Sequence, residues 1–280
     1  MISGGGRVDT RRVSDKPVVD FSFLIYPALG LVSGFLAGLL GIGGGLVIVP
    51  ALMLIFSYQG LRPSEISHAA VATSLAAVIF TSVIAAYSHH RRGAVDWSIL
   101  RKMATGLLAG ALFGAMIASS LPGKTLRIFF GLFAFAAAIQ MGFQLQPAPQ
   151  RRLPAASGLA AVGAIIGMIS AIVGIGGGTV TVPFLRWRSV AIHRAVATSS
   201  ACGFPIAVGG CLGFTMIDLI VGQAPSPTSA IYWPAALWIA AASLIAVPAG
   251  VRVTHRISIL SLTRIFACIL AIIGLRLVLA

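Results

Sequence analysis

Apolar residues fall in long unbroken runs along this chain rather than alternating with polar ones. The runs cover Phe21 to Leu40, Leu46 to Phe56, Ile66 to Ser88, Ile99 to Leu121 and Leu126 to Leu145. They resume from Ala155 to Val173, on to about Leu185, then Ala195 to Ile217, Ile231 to Val251 and Leu262 to Leu279. A helix needs about 20 apolar residues to cross the hydrocarbon core. Lipid leaves backbone groups no partner, so spans are helices or closed barrels, and continuous rather than alternating hydrophobicity selects helices. The pattern predicts an all-α polytopic integral membrane protein of about 8–10 membrane segments. Residues 1–20 form a polar N-terminal tail with no apolar core of a signal peptide. Residues 146–154 form a polar linker, and the Pro/Ser-rich stretch from Gly222 to Ser229 reads as an irregular loop.

The linker divides two copies of one pattern, a first membrane repeat over 21–145 and a second over 155–280. GIGGGLVIVP, from Gly41 to Pro50, returns as GIGGGTVTVP, from Gly174 to Pro183. HAAVATS, from His68 to Ser74, returns as HRAVATS, from His193 to Ser199. Arg127 and Phe129 are echoed by Arg264 and Phe266 near the end of each copy. Two long motifs repeated in the same order point to duplication and fusion.

Each Gly-rich motif reads as a tight hairpin between two segments, giving five per half and an inverted relation between the halves. With the N-terminus outside, Arg91, Arg92, Arg101, Lys102, Arg151, Arg152, Arg186, Arg188, Arg194, Arg252, Arg256 and Arg264 all face the cytoplasm, 12 of the 20 basic residues. Arg7, Arg11, Arg12 and Lys16 of the tail then lie outside; if the first motif only interrupts one long span, the N-terminus is cytoplasmic instead.

Composition narrows the function. The chain has 280 residues, 58% hydrophobic and 9% charged, with a formal net charge of +14. The basic residues cluster in short loops, as the positive-inside rule requires, and no basic–aromatic module for nucleic acid accompanies them. The acidic residues Asp9, Asp15, Asp20, Glu65, Asp96 and Asp218 all lie in tails, loops or segment ends. A cation carrier usually keeps a carboxylate at mid-membrane, so cation transport is disfavoured. Acid–base catalysis lacks paired carboxylates, and no ligand set suits a metal; neither enzyme activity nor a cofactor is expected. Cys202, Cys211 and Cys268 match no metal spacing and read as packing residues. His89 to Arg92 reads as a solvated basic loop.

The candidate chemistry sits in the repeated motifs. Consecutive glycines are costly in a helix and expose backbone N–H groups, and broken backbone at membrane depth occurs where it is buried or lines a cavity. Gly43, Gly44 and Gly45, with Gly176, Gly177 and Gly178, therefore precede helix starts whose N–H groups and dipole suit an anion. Pro50 and Pro183 close each motif as helix-break residues. Thr73, Ser74, Thr198 and Ser199 supply hydroxyls to the same ligand, and His68 and His193 are candidates for substrate or proton contact. Packing glycines, hydroxyls bonded to the preceding turn, and interfacial histidines are the competing readings.

The segment GxxxGLLGIGGGxxxVP, from Gly34 to Pro50, together with HxAxATS and the second copies, resembles the TauE/SafE family of sulfite and organosulfonate exporters. The resemblance runs from about Leu29 to Ala280. It implies a multi-pass permease of a bacterial-type inner membrane that exports a small sulfur-containing anion, with the glycine turns and Thr-Ser pairs as its site. An anion channel, or a carrier of another small anion or carboxylate, stays open beside it, as does a homodimer beside a monomer. The second copy departs at Arg194, Thr179 and Thr181, which replace Ala69, Leu46 and Ile48 and make that half more polar.

Overall fold

A computed structural model describes residues 22–41, 43–143, 153–220, 230–253 and 259–279. The N-terminal tail, most of the linker with Arg151 and Arg152, the Gly222–Ser229 loop and Arg256 lie outside them. Ten helices follow in order: α1 (Ser22–Leu40), α2 (Gly45–Tyr58), α3 (Pro63–His90), α4 (Trp97–Ser120), α5 (Gly123–Gly142), α6 (Ala156–Val173), α7 (Gly178–Trp187), α8 (Ile192–Ile220), α9 (Trp233–Val253) and α10 (Ile259–Leu279). All regular structure among the described residues is helical. Six helices (α3, α4, α5, α6, α8 and α9) are long and apolar enough to cross a bilayer. α2 and α7, of 14 and 10 residues, are too short to do so.

Glycine decides how the helices meet. In parallel register, Gly30, Gly34 and Gly38 of α1 lie against Ile239, Ser243 and Val247 of α9. Gly106, Gly110 and Gly114 of α4 meet Ala160, Ala164 and Met168 of α6 in the same way. A Cβ on Gly110 would stand 1.9 Å from Ala164 O, so no side chain fits. Without a hydrophobic drive between helices in lipid, close approach of small residues maximises dispersion contact. The first helix of each half thus packs on the fourth helix of the other, while α3 packs on α8 and α5 on α10.

The hairpin expected at the first Gly-rich motif is present. Gln59 Nε2, just past α2, donates to Tyr26 Oη near the start of α1 over 2.9 Å, so α2 runs back alongside α1. The start of each following helix needs a left-handed residue: Gly44 has φ 75° and Gly177 φ 76°, which only glycine adopts without strain. Pro50 and Pro183 do not terminate α2 and α7; each sits sixth in a helix that continues past it. The missing proline N–H withholds a bond from the carbonyls of Leu46 and Thr179. The region expected as a basic loop also differs. α3 continues through His89 and His90, and His89 is 2% exposed, because nothing stops the helix until Gly93, at φ 66°.

Candidate functional site

The two Gly-rich breaks touch at the centre of the molecule. A Cβ on Gly43 would lie 2.8 Å from Gly176 Cα, and one on Gly45 would lie 2.5 Å from Gly174 O. The second break also packs on Val78 of α3 and Gly203 of α8. Gly43 and Gly45 are thus brought against Gly176 and Gly174, backbone against backbone, whereas Gly44 faces Ser33 of α1 and Gly177 faces Ile206, Ser170 and Thr181 of its own half.

The hydroxyls of the second motif stitch one half to the other. Ser74 Oγ donates to Gly174 O over 2.8 Å, and Ser199 Oγ lies 3.2 Å from Gly41 O and 2.9 Å from Val196 O. The N–H of Tyr232, just ahead of α9, donates to Thr73 Oγ1 over 2.8 Å. The N–H of Asp96, just ahead of α4, donates to Thr198 Oγ1 over 3.0 Å. All four side chains are fully buried. Each motif therefore holds the other half's glycine break with its serine and the start of the other half's fourth helix with its threonine.

The histidines lie apart from this centre. His68 Nε2 is 3.0 Å from Leu121 O and Nδ1 is 3.2 Å from Ser64 O, tying the start of α3 to the end of α4. His193 is exposed in the first turn of α8. Beside it, Arg194 Nη2 pairs with Asp96 Oδ2 at 2.7 Å. Asp96 Oδ1 caps α4 by accepting from the N–H groups of Ser98 and Ile99. The arginine that breaks the repeat thus docks α8 onto the α4 cap.

One cluster joins Thr179 and Thr181 of the second Gly-rich motif to a serine outside the motifs. Among the described residues, Ser170 Oγ, Thr179 Oγ1 and Thr181 Oγ1 are buried with no hydrogen-bond partner. Ser170 Oγ and Thr181 Oγ1 lie near Gly177, 3.4 and 3.6 Å from where its Cβ would stand. Gly177 precedes α7, whose first bonds are those of Val180 and Thr181 N–H to Gly177 O. The N–H groups of Gly178 and Thr179 have no acceptor within the helix. Donors without acceptors thus gather at the positive end of a helix dipole. The first half places Ala37, Leu46 and Ile48 at the matching positions. There Ser33, whose Oγ has no partner among the described residues, places its carbonyl and Cβ 3.2 and 3.5 Å from where a Gly44 Cβ would stand. Buried hydroxyls normally find partners, so this excess marks the second half. Ser170 is the residue that motif reading misses; its signal is a serine where the first copy has Ala37.

A cavity of about 680 Å3 lies elsewhere, between α3, α4 and α8, and its wall is almost wholly apolar. At its rim Trp97 Nε1 donates to His90 Nδ1.

The family profile described as Sulfite exporter TauE/SafE matches residues 26–277. A probable membrane transporter protein of Haemophilus influenzae is 30% identical over 260 residues, covering 91% of this chain and 98% of that protein. One of Methanocaldococcus jannaschii is 28% identical over 274 residues, covering 92% and 97%. The Bacillus subtilis protein YunE, also described as a probable membrane transporter, is 26% identical over 199 residues, covering 64% and 72%. No solved structure matches the chain. With a profile match across nearly its whole length, the chain belongs to the TauE/SafE family of multi-pass membrane transporters.

Proposed function

We propose that the protein is a secondary transporter that exports a small oxyanion, of the sulfite or organosulfonate class, across a bacterial-type inner membrane. The observation that carries this reading is the pair of unpartnered hydroxyls of Ser170 and Thr181 beside Gly177 at the start of α7, with Thr179 Oγ1 a further unpartnered hydroxyl in the first turn. The N–H and O–H groups there suit the oxygens of an anion without any charged side chain. Gly176, Gly177 and Gly178 lead into α7 beside this site, and the contacts of Gly43 with Gly176 and of Gly45 with Gly174 put it next to the crossing of the two halves, with Gly44 opening α2 on the other side. Thr73, Ser74, Thr198 and Ser199 hold that crossing in register, and His68 and His193 stay outside it.

Alternating access would come from one repeat rocking against the other around this crossing. The exchange of partners between halves supports an inverted arrangement: α1 on α9, α6 on α4. The basic residues Arg91, Arg92 and Arg252 line one groove at the ends of α3 and α9, which supports a cytoplasmic assignment for that end.

The test is counter-flow in proteoliposomes. Vesicles loaded with unlabelled sulfite should transiently accumulate labelled sulfite against its gradient, with saturable rates. Flux that neither saturates nor shows counter-flow would mean a channel, and no flux of sulfite or sulfonates would remove the substrate class.

A further inference from the structure

We propose that the groove between the C-terminal ends of α3 and α9 binds an anionic phospholipid. The groove encloses about 620 Å3. Its floor and wall are apolar, formed by Val83 and Ile84 of α3 with Leu244 and Pro248 of α9. Val83 and Leu244 are 48% and 58% exposed on the flank of the helix pair, where acyl chains lie. Arg91 and Arg92, just past α3, and Arg252, in the last turn of α9, line the groove as well. Arg92 Nη1 donates to Val251 O, tying the end of α3 to the last turn of α9.

Among the described residues no carboxylate lines the groove and none of the three arginines pairs with one. Three uncompensated cations lining a lipid-facing apolar slot complement a phosphate joined to acyl chains, and basic pockets between spans on the cytoplasmic side are where anionic headgroups bind. A free phosphate or the transported anion has no use for the apolar floor.

The fold does not demand these arginines. The positions that correspond to Arg91, Arg92 and Arg252 in the other half hold Met216, Ile217 and Met116. The positive-inside rule places basic residues on one side of the membrane, but it does not require three of them, from two separate helices, to converge on one slot. α3 belongs to the first half and α9 to the second, so a lipid seated here bridges the two halves.

The experiment uses the full chain purified in a mild detergent, with thermal stability and native mass spectra recorded against three probes. These are phosphatidylglycerol, phosphatidylcholine with the same acyl chains, and inorganic phosphate at matched ionic strength. Phosphatidylglycerol should stabilise the protein and remain bound, while the other two should not. Each exposed arginine changed to glutamine, as in Arg91→Gln or Arg252→Gln, should weaken that binding about fivefold. Arg252→Lys, which keeps the charge, should retain most of it and serves as the control for misfolding. Equal binding of the two phospholipids, equal stabilisation by inorganic phosphate, or undiminished binding by well-folded glutamine variants would each overturn the proposal.

Discussion

Ser74 and Gly174 meet across the two halves: the serine hydroxyl donates to the glycine carbonyl over 2.8 Å, wholly buried. That carbonyl belongs to a residue at φ 78°, where the backbone leaves α6 and turns into the second break. Ser74→Ala would leave it without this donor at a buried site. The expected loss is about 1–3 kcal/mol, read as a lower Tm or faster inactivation in detergent. Ser199→Ala should cost less, because Ser199 divides its proton between Gly41 O and Val196 O of its own helix.

The contact between the breaks is tested by Gly43→Ala. Its methyl would lie 2.8 Å from Gly176 Cα, backbone that cannot step aside. Overpacking of this kind costs about 1–3 kcal/mol, added to the left-handed strain of about 1–2 kcal/mol. Gly60→Ala, at φ 79° with nothing within 4 Å, should show only the strain. Comparing folded yield by size-exclusion chromatography separates the two effects.

The α4–α6 seam makes a sharper demand. Gly110→Leu should abolish folded protein, since even a Cβ there would stand 1.9 Å from Ala164 O. Gly142→Ala, whose Cβ meets Ala267 Cβ at an ordinary 3.6 Å, should leave yield and Tm near those of the wild type.

Asp96 and Arg194 should differ although they form one ion pair. The Arg194 side chain is 58% exposed, and exposed pairs contribute about 0–1 kcal/mol. Asp96 also caps α4 through Ser98 and Ile99, which is worth about 1 kcal/mol more. Asp96→Ala should therefore lower Tm further than Arg194→Ala.

Hydrophobicity alone carried most of the fold, because a span must be apolar over its whole length and each expected run overlaps a helix, although those from Leu126 and from Ile231 reach beyond the ends of α5 and α9. The hairpin at Gly41 to Gly45 was also legible, since glycines that close together cannot continue a helix cheaply. Tertiary partners were not. Thr73 reads the same in sequence whether it faces a ligand or the N–H of Tyr232, 159 positions away. His89 looked like a loop residue because the sequence around it is polar, yet its burial comes from helices packed around α3. Ser170 was hidden inside an apolar run, and only its mismatch with Ala37 hinted at it.

The most direct measurement is sulfite binding to wild-type protein and to Ser170→Ala and Thr181→Val, by calorimetry or thermal shift at matched ionic strength. If hydroxyls at the start of α7 hold the anion, the wild type binds saturably and each variant binds about tenfold more weakly while staying folded. Wild-type affinity in both folded variants would contradict that placement, and no binding of sulfite or a sulfonate by the wild type would contradict the oxyanion assignment itself.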